Sequence, residues 1–126
     1  MSDNNSNGSG KPEKFSPHSV EAEEAVLGSI LINPDAILEI ASFLQTSDFF
    51  IVKNAWVWDA IIAVNERGEA LDEQTIADEL RNRGQLESIG GIAHLRYLSN
   101  NTPTHIHAET YGRIVERAAI RRRLRG

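Results

Sequence analysis

The stretch from Gly84 to Val115, GQLESIGGIAHLRYLSNNTPTHIHAETYGRIV, decides the fold of this chain. It runs from a helix end at Gly84 through a Gly90-Gly91 turn into an amphipathic segment with Ile92, Leu95 and Leu98 on one side. Asn100-Asn101-Thr102-Pro103 then breaks the chain before a new helix. Glycine past a periodic run supplies the left-handed residue that closes a helix, and proline cannot continue one. Gly90-Gly91 reads as a tight turn needing positive φ in preference to an anion cradle at a helix start.

The same grammar extends upstream. Pro17 sets an entry turn and Ser19 is a candidate N-cap. Glu21, Glu23 and Glu24 follow as a solvated first-turn charge run that suits the positive end of the helix dipole. Val20, Val26, Leu27, Ile30 and Leu31 recur at helical spacing, which predicts a helix over about 19–32. Asn33-Pro34 starts a second, over about 34–44, with Ile37, Leu38, Ile40, Ala41 and Leu44. Ser47-Asp48-Phe49-Phe50 reads as a turn presenting two core aromatics. Asn54 is the expected cap of a helix over about 54–66, with Trp58, Ile61, Ile62 and Asn65 on one face and Gly68 as its stop. Asp72 caps a helix over about 73–83, with Ile76 and Leu80 inward. Leu86 and Ile89 flank a loop. No stretch reads as a strand, and no internal repeat is visible.

The prediction is therefore all-α, a compact bundle of about five or six short helices followed by a C-terminal helix. Residues 1–16 are a polar tail expected to be disordered, 17–103 the globular body, and 104–126 the C-terminal helical segment. The expected core is Leu27, Ile30, Leu31, Ile40, Phe49, Trp58, Ile61, Ile62, Leu80, Leu95 and Leu98. Trp56 lies off the face of Trp58, at the surface or an interface.

Composition narrows the function classes. The chain has 126 residues, no cysteine and a net charge of −5. The absence of cysteine excludes disulfides and thiolate metal sites and fits a reducing cytoplasm. No apolar run approaches the length that spans a bilayer, and no signal pattern opens the chain. The charge is uneven. Residues 15–103 hold 14 acids and 5 bases, whereas 104–126 hold 2 acids and 6 arginines. An acidic body repels phosphate, so nucleic acid is not expected to bind across it. Arg117, Arg121 and Arg125 recur four apart at the basic end. They form a stripe that could touch phosphates, or a solvated helix edge favoured by the dipole.

Catalytic chemistry has little to rest on. A phosphate-binding loop needs glycines, a lysine and a Ser/Thr in fixed order. The only lysines are Lys11, Lys14 and Lys53, and Gly10-Lys11 runs into Pro12 without an upstream glycine. His105 and His107 are two apart and point different ways on a helix, so His18, His94, His105 and His107 make no paired metal ligand. No cofactor or metal is expected.

Several pieces in order carry a family resemblance: Glu21-Ala22-Glu23 with Val26-Leu27-Gly28, Asp48-Phe49, Thr75 with Ala77 and Leu80, Gly84-Gln85-Leu86, Ile89-Gly90-Gly91 with Leu95, and Thr102-Pro103 with Tyr111 and Ile114-Val115. Together they resemble the N-terminal domain of bacterial DnaB-type replicative DNA helicases, over about 17–121. The family usually has Tyr at Phe50, His at Asn54 and Asn at His107. The resemblance implies a helical body followed by a helical hairpin, of which 104–126 would be a truncated first arm. It implies a domain that assembles with other copies into the helicase collar and meets primase and the helicase loader. DNA, ATP and magnesium would be engaged by the parent hexamer and its motor, at the replication fork in the bacterial cytoplasm. Ile106, Tyr111, Ile114, Val115 and Ala118 are then the expected self-association face, left uncovered by the body. The segment beyond about Arg117 is expected to fray. The competing reading is a small helical DNA-binding protein that uses the arginine stripe.

Overall fold

The computed structural model describes residues 19–103 and 107–125. The expected disordered tail, together with Thr104, His105 and Ile106, lies outside the described residues, as does the Arg125 side chain. Seven α-helices are described: α1 Val20–Ile32, α2 Ile37–Ile40, α3 Val52–Glu66, α4 Glu73–Asn82, α5 Leu86–Ile89, α6 Ile92–Asn100 and α7 Ala108–Arg125. Two 3-10 turns, Pro34–Ala36 and Thr46–Asp48, lie before and after α2. The described residues contain no strand.

α1 is the hub, packing against α7, α6 and α3. Its middle is buried on all sides, from Ala22 and Glu23 through Ile30 with only Glu24 partly exposed. Ser19 caps it as predicted, accepting from the Ala22 N–H at 3.1 Å. The closest approach is at Gly28, where a Cβ would overlap Thr102 Oγ1 and the Leu98 carbonyl. Thr102 in turn donates to that carbonyl at 2.7 Å. A glycine thus lets the end of α6 cross α1 backbone to backbone.

α4 starts at the Asp72 cap, whose side chain accepts from the Thr75 N–H at 2.8 Å while Thr75 Oγ1 accepts from the Asp72 N–H at 3.1 Å. α3 and α4 are tied by Arg83, which meets Glu79 at 2.6 Å and Asp59 at 2.9 Å. Gly90 and Gly91 both have positive φ, 106° and 74°, so the turn into α6 requires the freedom only glycine has.

Four expectations are corrected, the first being the loop between Leu86 and Ile89, which is the short helix α5. The 34–44 helix is split, because Ser42 and Phe43 N–H groups bond three residues back, to Glu39 and Ile40, and Ser42 Oγ also donates to the Glu39 carbonyl. The 54–66 helix starts at Val52, and Asn54 is a buried residue of its first turn rather than its cap. Glu23 is no solvated charge. It is 1% exposed, and its carboxylate accepts from the Phe50 N–H at 2.7 Å, the Ile51 N–H at 3.2 Å and Asn54 Nδ2 at 3.0 Å. A side chain of α1 therefore anchors the two backbone N–H groups just ahead of α3 and the Asn54 amide of its first turn.

Of the expected core, Leu31 and Ile62 are only partly buried and Phe50, read as the second core aromatic of its turn, is exposed; the others are buried. Trp56 is also partly buried against the core. Trp58 is 1% exposed and meets Phe49 with ring centroids 5.6 Å apart. Trp58→Ala should cost roughly 3–5 kcal/mol, the range for large aromatic truncations in cores. Gly28→Ala should destabilise by roughly 1–3 kcal/mol by forcing α1 and α6 apart. Denaturant titration checks both, and an unchanged midpoint for either variant contradicts this packing.

Candidate interaction surfaces

Among the described residues, no group of three or more His, Cys, Asp or Glu side chains is placed to share a metal ion. What the molecule offers is surface, and the longest continuous piece is α7. Its two sides do different things. Val115, Ala118 and Ala119 are buried against the body, and Tyr111 and Ile114 are partly buried there. Gly112 lies against Phe43 and Ile40, where a Cβ would come within 3.0 Å of the Phe43 ring. Val115 and Ala118 are thus closed off inside the chain and are not available to a partner. The sequence underestimated how much of α7 the body covers, because α7 packs along α1.

The opposite side carries Arg117, Ile120, Arg121 and Leu124, one helical stripe by spacing, and all four are exposed. Ile120 and Leu124, 44% and 82% exposed, were not in the expected face. The arginines divide similarly. Arg122 donates to the Asp48 carbonyl at 2.8 Å and sits 5.2 Å from the Phe50 ring centre. Arg123 pairs with the buried Asp48 carboxylate. Arg113 lies 3.6 Å over the Phe43 ring and meets Glu116 at 3.1 Å. Arg113, Arg122 and Arg123 therefore meet the fold, whereas Arg117 and Arg121 of the expected stripe are exposed.

The helical backbone of α7 continues to Arg125, with the Arg122 and Arg123 contacts to Asp48 near its end.

A second surface lies where α1 ends. Ile32, Leu38, Pro103 and His107 line a groove of about 480 Å³, with Asp35 and Glu39 on its wall. Leu38 is 75% exposed. A smaller groove joins Glu21 and Glu24 to Tyr97 and Tyr111. Tyr97 donates to Glu24 at 3.3 Å, and that carboxylate raises the phenol pKa above its ordinary value.

The sequence profile described as "DnaB-like helicase N terminal domain" matches residues 16–117. A replicative DNA helicase of Bacillus subtilis is 37% identical over 112 residues, 89% of this chain and 25% of its own length. One from Mycobacterium leprae is 40% identical over 108 residues, 86% of this chain and 18% of its own. The chain thus spans a quarter or less of these relatives. Among solved structures, the N-terminal domain of DnaB helicase from Mycobacterium tuberculosis aligns with a TM-score of 0.82 at 40% identity, over 86% of this chain and 78% of that one. The Helicobacter pylori domain, described with its interactions with primase, aligns at 0.67 with 23% identity over 82% and 80%, a likeness of fold alone. No described helix is long and apolar enough to cross a membrane.

His94 is half-buried in α6. Its ring stacks on Tyr97 at 5.9 Å, and its Nε2 is buried without a hydrogen-bond partner among the described residues. Burial, then the nearby Lys53, push its pKa below the ordinary 6.5, against a smaller opposing pull from Glu24. The unfolded chain therefore takes up this proton first as pH falls. The stability tied to a neutral His94 is complete above pH 6.5 and is lost as pH drops below it. Denaturation midpoints of His94→Gln should fall less steeply below that pH than those of the parent. Parallel pH profiles would contradict the assignment.

Proposed function

Because the chain belongs to the DnaB-like helicase N-terminal domain family, we propose that it is the assembly and docking domain of a bacterial replicative helicase, without catalysis of its own. The observation that carries this reading is the family match across nearly all described residues, combined with relatives that are replicative helicases several times longer. ATP and magnesium belong to the motor of the parent. Copies of the domain build a collar, primase and loader meet that collar, and DNA is contacted only through the hexamer, in the bacterial cytoplasm.

The surfaces give this role particular residues. The exposed stripe of Arg117, Ile120, Arg121 and Leu124 is the part of α7 available to another helix. Tyr111 and Ile114 extend the contact at their partly exposed edges. Apolar side chains supply the contact and the arginines its register, as in helix pairs generally.

Sedimentation equilibrium tests the reading. The chain should associate weakly and reversibly, a longer chain continuing past Gly126 should associate more strongly, and Ile120→Asp with Leu124→Asp should abolish both. Immobilised chain should retain a bacterial primase whether or not ATP is present, and should not turn ATP over. Steeply salt-dependent retention of single-stranded DNA, with no self-association and no primase retention, would favour the DNA-binding alternative.

A further inference from the structure

α7 is held in two different ways along its length. From Gly112 to Ala119 it is packed, with Gly112, Val115, Ala118 and Ala119 buried. From Ile120 to Leu124 no residue is buried. Two polar contacts of that last stretch meet on one residue of the body. Arg123 Nη2 donates to Asp48 Oδ1, and Arg122 Nη2 donates to the Asp48 carbonyl at 2.8 Å. Asp48 is itself fixed. It is 4% exposed, it ends the 3-10 turn Thr46–Asp48, and its second oxygen accepts from the Gln45 N–H at 2.9 Å. The Arg122 guanidinium also lies against Phe50, whose N–H is held by Glu23.

We propose that Asp48 is a latch that fixes the direction of α7 beyond Ala119, and that opening it releases the end of the helix while the packed part stays in place. The charge balance supports this. A body carrying 14 acids and 5 bases over residues 15–103 attracts a helix that carries excess arginine. The Arg123 side chain is 53% exposed, so salt or a competing anion can reach the pair. The Arg123 end of the pair is half exposed and the Asp48 end is buried, so the arm is held at a fixed acceptor while its cation stays open to a competing anion. A partner that presents a carboxylate or phosphate to Arg122 and Arg123 would therefore redirect whatever follows α7. The inference does not depend on the proposed docking role, since it concerns only how this chain holds its own helix.

The absence of cysteine makes the test direct. Nitroxide labels at Leu124→Cys and Glu87→Cys, both exposed positions, report the arm against the body. At low salt the labelled chain should give one narrow distance distribution, broadening at about 1 M salt, where screening acts within a few ångströms. Arg122→Ala with Arg123→Ala should give the broad distribution already at low salt. Amide exchange over Ile120–Leu124 should then rise about tenfold or more, with Ile61 unchanged, as for a local opening. Asp48→Asn, which keeps an oxygen for the Gln45 N–H, should broaden the distribution similarly. A distribution and exchange pattern unchanged by the paired arginine substitution would overturn the latch. So would a loss of protection that spreads equally to Ile61.

Discussion

A buried carboxylate with three donors around it is the constraint on which the rest of this domain depends. Glu23 sits buried in the first turn of the hub helix, where an acid with no partners would be expelled. It stays because the two backbone N–H groups ahead of α3 and the Asn54 amide all point at it. The benefit is mutual. Ile51 offers no side-chain cap, so the start of α3 obtains from another helix the acceptor it lacks locally. Both helices direct their positive ends toward the same group, which favours a negative charge there. Hydrogen bonds to an ionised acceptor are stronger than neutral ones, and they specify geometry that apolar packing alone leaves loose.

The Glu23 site also sets the ground on which the C-terminal helix lies. By holding the Phe50 and Ile51 amides, it orients the segment that presents Phe49 to Trp58 and Asp48 to Arg122 and Arg123. One side of α7 then closes the core through Val115 and Ala119, and the other carries Ile120 and Leu124 into solvent. The division between stability and contact thus runs lengthwise along a single helix. The uneven charge of the chain follows the same division, since the basic helix is drawn onto an acidic body while Arg117 and Arg121 remain on its outer side.

Much of this architecture was legible in the sequence. The caps Ser19 and Asp72, the Gly90-Gly91 turn and the burial of Trp58 are local decisions, made by side chains and φ angles within a few residues. The misreadings share a different cause. Glu23 and Asn54 are 31 residues apart and look like a charge and a cap until the fold joins them. Asp48 and Arg123 are separated by 75 residues. α1 has no single apolar face, because it is covered on every side, so its pattern could not say how much of α7 it would bury. Two residues of the expected face, Val115 and Ala118, are therefore buried by the body, and the exposed apolar residues of α7 are Ile120 and Leu124.

The most direct measurement of this account is a double-mutant cycle between Glu23→Gln and Asn54→Ala, followed by denaturant unfolding. Glu23→Gln keeps the size of the side chain but turns an amide donor toward groups that are themselves donors. It should cost roughly 2–4 kcal/mol, the scale of losing charged hydrogen bonds in a buried place. The two substitutions should couple by about 1 kcal/mol or more, as contacting residues of one network do. Additive effects, or a Glu23→Gln chain as stable as the parent, would contradict the claim that this carboxylate organises the start of α3.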